Sequence, residues 1–168
     1  MGPAEQHALS HLRVGLGVDA HAFGDGVPLV LGGVTIEHPR GLVGHSDGDV
    51  VAHAVTDALL GAAGLGDIGA LFPSHDERYR GADSLELLSA AYLRVREAGF
   101  ELVNVDCVVI GQEPRVAPYR DAMCGRLAEA LGVAPDQVNV RATTTDQLGF
   151  TGRSEGLAAQ AVALLRSG

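Results

Sequence analysis

Glycine constrains this chain more than any other residue: 23 of its 168 residues are glycine, only 4% are aromatic and none is tryptophan. Glycine usage about twice the ordinary level, with so few large rings, leaves a core of small aliphatic side chains, tight turns and close approaches between backbones. With 46% hydrophobic and 20% charged residues the composition is globular. The length suits one domain, which can bury roughly two thirds of the surface its unfolded chain exposes without needing staples.

Periodicity divides the chain into alternating strand and helix segments. Residues 13–18 (RVGLGV) alternate and predict a strand ending at Asp19, Ala20 and His21. Residues 28–36 (PLVLGGVTI) read as a strand pair kinked at Gly32 and Gly33. Residues 49–63 form a strong helical pattern, with Ser46 three positions ahead of Asp49 as an approximate capping box. A long glycine-punctuated loop spans 64–82, and loops of that length are usually functional. A helix over 84–98 closed by Gly99, a strand over Phe100–Ile110 and a helix over 117–131 closed by Gly132 follow. A β-branched strand over 138–145 and an apolar helix over 156–166 complete the pattern. The economical reading is one α/β domain with helices layered on a sheet.

Charge narrows the function. The net charge is −9, with 12 arginines and no lysine, and no basic run. Nucleic acid and anionic membranes are excluded as partners of a basic face, and a P-loop or Schiff-base lysine is impossible. An anionic substrate must be held by metals, backbone amides and a few arginines. Cys107 and Cys124 have no metal spacing and read as buried free thiols. The first 12 residues lack the pattern of a secretory signal and no apolar run is long enough to span a bilayer, so a cytoplasmic protein is the default expectation.

The chemical signal is a cluster: five of seven histidines and eight of twelve aspartates lie between positions 19 and 83. Asp19 and His21, two apart on a strand, leave the same face, while Asp49, His53 and Asp57 are spaced along one helix face. A strand carboxylate and imidazole meeting a helix imidazole would supply three N and O ligands and leave a fourth position open, the layout of a catalytic zinc. Histidines satisfied in the core are the alternative. His45 and Ser46 stand before the helix, where its N-terminus favours a phosphate; simple capping by Ser46 reads equally well. Thr143, Thr144, Thr145 and Asp146 end a strand, as β-branched residues ordinarily do, and can also hold phosphate and a hard cation. The 111–118 loop lies at the same side of the expected sheet.

The runs GVDAHAF, LGG, GHSDGDVVAHAVTDALLGAAGLGDIGALFP, GADS, NVD and VRATTTDQLGFTGRSEG together resemble the 2-C-methyl-D-erythritol 2,4-cyclodiphosphate synthase family, in order over about residues 13–166. The resemblance implies an α/β fold of α+β type, with a mixed β-sheet carrying helices on one face, in a homotrimer with active sites between subunits. Residues 13–168 would form the synthase domain, and 1–12 a flexible extension. It implies a metal-assisted phosphorus–oxygen lyase of the non-mevalonate isoprenoid pathway. Its substrate is 4-diphosphocytidyl-2-C-methyl-D-erythritol 2-phosphate and its products are the cyclic 2,4-diphosphate and CMP. Zinc would be held by Asp19, His21 and His53, and a second ion, Mg²⁺ or Mn²⁺, by Asp146. His45 and Thr144 match the transition-state-stabilising positions, with Ser46 beside His45.

Substrate contacts implied by the same resemblance begin with Asp19, Ala20 and His21. They continue with Asp67, Ile68 and Gly69, and with Phe72, Pro73, Ser74, His75 and Asp76 around the sugar chain. Gly111, Gln112, Glu113, Pro114, Arg115, Val116 and Ala117 match the loop that reads cytosine. Thr143, Thr144, Thr145, Asp146, Phe150 and Arg153 match further contacts. The sequence departs from the family pattern where Asp146 replaces Glu, Gln147 and Arg115 replace Lys, and Ser74 replaces Asp. Asp57, one turn beyond His53, is a candidate acceptor for its imidazole, or a plain surface residue. A phosphohydrolase using the same metals and a non-catalytic metal-stabilised trimer are the rival classes.

Overall fold

The computed structural model describes Gly2 and residues 11–168. Its elements run β1 (Leu12–Gly24), β2 (Leu29–Leu31), β3 (Val34–Ile36), β4 (Gly41–Leu42), α1 (Val50–Ala63), α2 (Ile68–Leu71), α3 (Ser84–Glu97), β5 (Phe100–Ile110), α4 (Arg120–Leu131), β6 (Val138–Thr143), α5 (Gly149–Gly152) and β7 (Gly156–Ser167). Five strands form one sheet in the order β4-β1-β7-β5-β6, and β2 pairs with β3 as a separate hairpin. β5 and β6 are parallel while β1, β4, β5 and β7 pair antiparallel, which makes the sheet mixed. Of the expected extension over 1–12, Leu12 already belongs to β1, and residues 1 and 3–10 lie outside the described residues.

One sheet face carries α1, which packs across β1, β7 and β5, with α3 and α4 beside it. Gly15 and Gly17 show why the chain is rich in glycine. A Cβ on Gly15 would stand 2.0 Å from the Ala58 carbonyl oxygen, and one on Gly17 would stand 1.9 Å from that of Ala54. Only bare backbone lets α1 lie this close to β1. The core around this contact is aliphatic, with Val50, Val51, Val55, Leu59 and Leu60 of α1 buried against Leu157, Ala159, Ala161, Ala163 and Leu165 of β7.

The expected helix over 156–166 is instead β7, the middle strand of the sheet. Alanine and leucine favour a helix, but every second residue from Leu157 to Leu165 is buried, and β7 is hydrogen-bonded on both sides to β1 and β5. Tertiary pairing overrides the local propensity.

Other boundaries moved. β1 does not end at Asp19, Ala20 and His21 but continues to Gly24, with Asp19 opposite Ala159 and His21 opposite Leu157. The strand expected over 138–145 ends at Thr143. The 64–82 loop contains α2 and a 3₁₀ turn over Glu77–Tyr79.

Asp49, not Ser46, caps α1. Its carboxylate accepts from the N–H groups of Val51 and Ala52 at 3.1 and 3.0 Å, and from those of Gly32 and Gly33 at 2.9 and 2.8 Å. The N–H groups of Val51 and Ala52 are thus occupied from within the chain and are not free for a phosphate. The same carboxylate pins the β2–β3 turn to α1. The strand pair kinked at Gly32 and Gly33, the strand at Phe100–Ile110, and the glycine stops at 99 and 132 appear as expected.

Candidate active site

Asp19 and His21 reach from β1, and His53 from the second turn of α1, to one point. The Asp19 Oδ2 atom lies 3.0 Å from His21 Nε2 and 2.9 Å from His53 Nδ1, and the two nitrogens are 3.3 Å apart. Ligand atoms placed about 2.0 to 2.1 Å from a tetrahedral ion stand about 3.3 Å from one another, so the three donors are spaced to share one cation. The donor set, two imidazoles and a carboxylate, suits a divalent metal. His21 Nδ1 lies 2.9 Å from the Val43 carbonyl oxygen. A carbonyl only accepts, so Nδ1 carries the hydrogen and Nε2 is the nitrogen that can present a lone pair.

The electrostatics agree. Burial alone would raise the Asp19 carboxyl, but hydrogen bonds from His21 and His53 outweigh it and hold it well below the usual carboxylate range. The same bond to Asp19 raises His21 above an ordinary imidazole, against the opposing effect of burial. The centre demands positive charge, which protons supply when no cation does.

A cavity of about 200 Å³ opens over the three ligands, lined also by His45, Ser46, Ile68, Gly69, Phe72, Ser74, Tyr79 and Leu87. His45 Nε2 lies 3.2 Å from the Asp76 carbonyl oxygen, which orients the ring. Phe72 and Tyr79 meet edge to face with centroids 5.2 Å apart and form an aromatic wall.

A second cavity, of about 190 Å³, is lined by Gly111, Gln112, Pro114, Arg115, Val116, Ala117, Ala142, Thr143 and Thr144. No residue lines both cavities. They open at the same end of the sheet, but His21 on β1 and Thr143 on β6 are separated by three strand spacings, about 14 Å. Asp146 lies in the exposed turn after β6 with φ of 51°, its Oδ1 accepting from the Thr144 hydroxyl at 3.3 Å.

The YgbB family matches residues 12–166. The chain belongs to the YgbB family. It is 59% identical to the 2-C-methyl-D-erythritol 2,4-cyclodiphosphate synthase of Laribacter hongkongensis over 157 residues, 94% of this chain and 97% of that one. It is 58% identical to the protein of that name from Moorella thermoacetica over 154 residues, 92% of this chain and 94% of the other. A solved structure of 2C-methyl-D-erythritol-2,4-cyclodiphosphate synthase in a CDP-bound form superposes with a TM-score of 0.83 at 38% identity, covering 91% of this chain and 99% of that one.

Within this YgbB chain several residues expected at the site have other partners. Asp57 does not reach His53; its carboxylate accepts from the Ile68 N–H at 2.7 Å and starts α2. Asp67 accepts from the Ala70 N–H at 2.8 Å. Pro73, His75, Asp76 and Ala20 are not among the residues lining the first cavity, nor is Glu113 among those lining the second. Glu113 instead pairs with Arg40 at 3.1 Å. Thr145 turns its hydroxyl to the Leu148 carbonyl at 2.7 Å, and Arg153 pairs with Glu155 at 2.8 Å. Phe150 is 44% exposed.

Sequence reasoning missed Tyr79 and Leu87 on the first cavity. It also missed Asp47 and Ser84, which stand behind His53: the Ser46 and Ser84 hydroxyls each lie 2.9 Å from His53 Nε2. The GADS run that places Ser84 was visible, but it is 31 residues from His53 in sequence.

Proposed function

We propose that the chain converts 4-diphosphocytidyl-2-C-methyl-D-erythritol 2-phosphate into 2-C-methyl-D-erythritol 2,4-cyclodiphosphate and CMP, as a lyase acting on a phosphorus–oxygen bond in isoprenoid precursor synthesis. An oxygen of the 2-phosphate bonds to the β-phosphorus as the bond from that phosphorus to the CMP oxygen breaks, and CMP leaves with the electron pair. The observation that carries this reading is the Asp19–His21–His53 centre at the floor of a cavity walled by His45, Ser46 and Phe72. It stands in a chain that is 59% identical over 157 residues to a relative of that name.

Such a transfer needs little covalent help from the protein; it needs positioning and charge. Asp19, His21 and His53 hold a divalent ion, for which zinc is the choice their donor set favours. When bound, the ion orients and polarises the β-phosphate. The imidazole of His45 and the hydroxyl of Thr144 stabilise charge developing on the transferred group. The Ser46 hydroxyl faces the same phosphate. Ile68, Gly69, Phe72 and Ser74 enclose the methylerythritol chain, and Asp67, Pro73, His75 and Asp76 shape the loop behind it. Residues 111–117 take the cytidine, and Asp146 would supply a carboxylate ligand to Mg²⁺ or Mn²⁺, which would offset the negative charge of the substrate's phosphates.

A CDP-linked substrate must touch both cavities, which lie three strands apart within one chain. We place the nucleotide half of each site on a neighbouring subunit of a homotrimer. The free sheet face supports this: Val14, Leu16, Val18 and Val162, neighbours across β1 and β7, are 68, 61, 53 and 46% exposed, and such an apolar surface marks an interface. Among the described residues no helix is long and apolar enough to cross a membrane; the likeness to biosynthetic enzymes is what supports placing the chain in the cytoplasm.

Phosphorus NMR of the chain incubated with this substrate, zinc and magnesium tests the reading. CMP and the cyclic diphosphate are the expected products. Release of inorganic phosphate would mean hydrolysis, and an untouched substrate would mean a binding protein; either overturns the assignment.

A further inference from the structure

We propose that Ser84 and Asp47 form a hydrogen-bond relay that sets the tautomer of His53, and through it the strength with which the Asp19–His21–His53 centre holds its ion. The inference rests on the reading of that centre as a metal site. Neither residue touches the ion or the substrate, so both are positioning residues.

The direction of each hydrogen bond follows from which partners can only accept. The Asp47 carboxylate is met by three donors: Oδ1 accepts from the Ser84 hydroxyl and from the Asp49 N–H at 3.1 Å, and Oδ2 accepts from the Ser84 N–H at 3.0 Å. An ionised carboxylate has no hydrogen to give, so the single hydroxyl hydrogen of Ser84 is committed to Asp47. What Ser84 turns to His53 Nε2, 2.9 Å away, is a lone pair. The Nε2 atom must therefore be the donor. A neutral imidazole has one N–H, and with it placed on Nε2 the lone pair is on Nδ1, the atom that faces Asp19 and His21. A histidine ligand whose other nitrogen is held by an oxygen backed by a carboxylate is both oriented and made more basic.

Burial makes the device hard to replace. Ser84 is 1% exposed and His53 8%, so water has poor access to the bond. The relay also frees Ser46. Its hydroxyl lies at 2.9 Å from the same nitrogen. With Nε2 donating, Ser46 only receives there, and its own hydrogen can turn into the cavity toward a phosphate oxygen. If Ser84 lost its oxygen, Ser46 could donate to Nε2 and drive the hydrogen onto Nδ1, where it blocks the ligand atom. Asp47→Asn acts the same way, because it replaces one acceptor with a donor and lets the Ser84 hydroxyl turn to His53.

Two measurements on the full chain test this. Zinc affinity, from competition with a chromophoric chelator, is compared for the unaltered chain, Ser84→Ala, Asp47→Asn and Ser46→Ala. Long-range ¹H–¹⁵N NMR of the zinc-loaded, histidine-labelled chain reads the tautomer of His53 directly and needs no variant. Ser84→Ala and Asp47→Asn are expected to bind zinc roughly 10- to 100-fold more weakly, Ser46→Ala far less so, and the spectrum to show His53 with hydrogen on Nε2 and metal on Nδ1. Unchanged affinity in both variants, or metal on Nε2, overturns the relay. If a variant fails to fold, the spectrum of the unaltered chain decides. An unaltered chain that takes up no zinc overturns the metal reading itself, which separates the two failures.

Discussion

Around the Asp19–His21–His53 centre both nitrogens of each imidazole already have partners inside one chain, and the supporting residues Asp49 and Ser84 are 0 and 1% exposed. Around Thr143, Thr144 and Asp146 the side chains lie open, and Asp146 reaches only the neighbouring Thr144 hydroxyl. The metal half is held by a buried network of hydrogen bonds within one chain. The half proposed to take the nucleotide is a cavity of about 190 Å³ beside those exposed side chains, and in the proposed trimer a second subunit would cover it. A transfer reaction that depends on positioning is thus anchored at one end and closed at the other.

The sharpest way to break this contrast is His53→Ala. Removing one of three ligands is expected to empty the zinc site and, with several kcal/mol of transition-state stabilisation gone, to lower turnover by about 10³-fold or more. Metal analysis and activity should fall together, and a variant that keeps both would remove His53 from the centre.

A second test concerns the buried support of the metal half. Burial raises the Asp49 carboxyl from 3.8 to about 6, against the four N–H groups that favour its charge. Folding therefore favours the protonated acid: its contribution is complete below pH 3.8 and is lost as pH rises through about 6. Relative to Asp49→Asn, which does not titrate, the unaltered chain should lose on the order of 3 kcal/mol over that window. Urea unfolding at a series of pH values measures the difference, and a difference independent of pH would contradict it.

Asp146→Asn probes the open half and should have the smallest effect. Loss of one carboxylate charge on a solvated turn is expected to weaken activation by Mg²⁺ or Mn²⁺ roughly 10- to 100-fold while leaving zinc content unchanged. Equal loss of zinc would mean that the halves are not independent.

What could be read from the sequence follows the same division. The D-x-H spacing and the helical placement of His53 pointed to the metal centre because strand and helix periodicity fix where those side chains lie. The caps at Gly99 and Gly132 and the Gly32–Gly33 turn were legible because left-handed backbone needs glycine. The final strand was not legible. Its buried Leu157, Ala159, Ala161, Ala163 and Leu165 alternate with Ala158, Gln160, Val162 and Leu164 on the other face, where Gln160 alone is polar, so little is left of the contrast that marks a strand. The role of Asp49 was hidden for another reason. Its partners at Gly32 and Gly33 are 16 to 17 residues away, and no local pattern announces them.

The claim that the two halves of a site belong to different chains is tested most directly by mixing subunits. His53→Ala destroys the metal half of its chain and Thr144→Ala the nucleotide half, and each alone is expected to be nearly inactive. Co-expressed in equal amounts with different tags and allowed to assemble at random, they pair an intact metal half with an intact nucleotide half at about one interface in four of a cyclic trimer. The whole mixture should then recover about a quarter of the unaltered activity, and each mixed trimer about a third. A mixture no more active than its separate parts would place each complete site within a single chain.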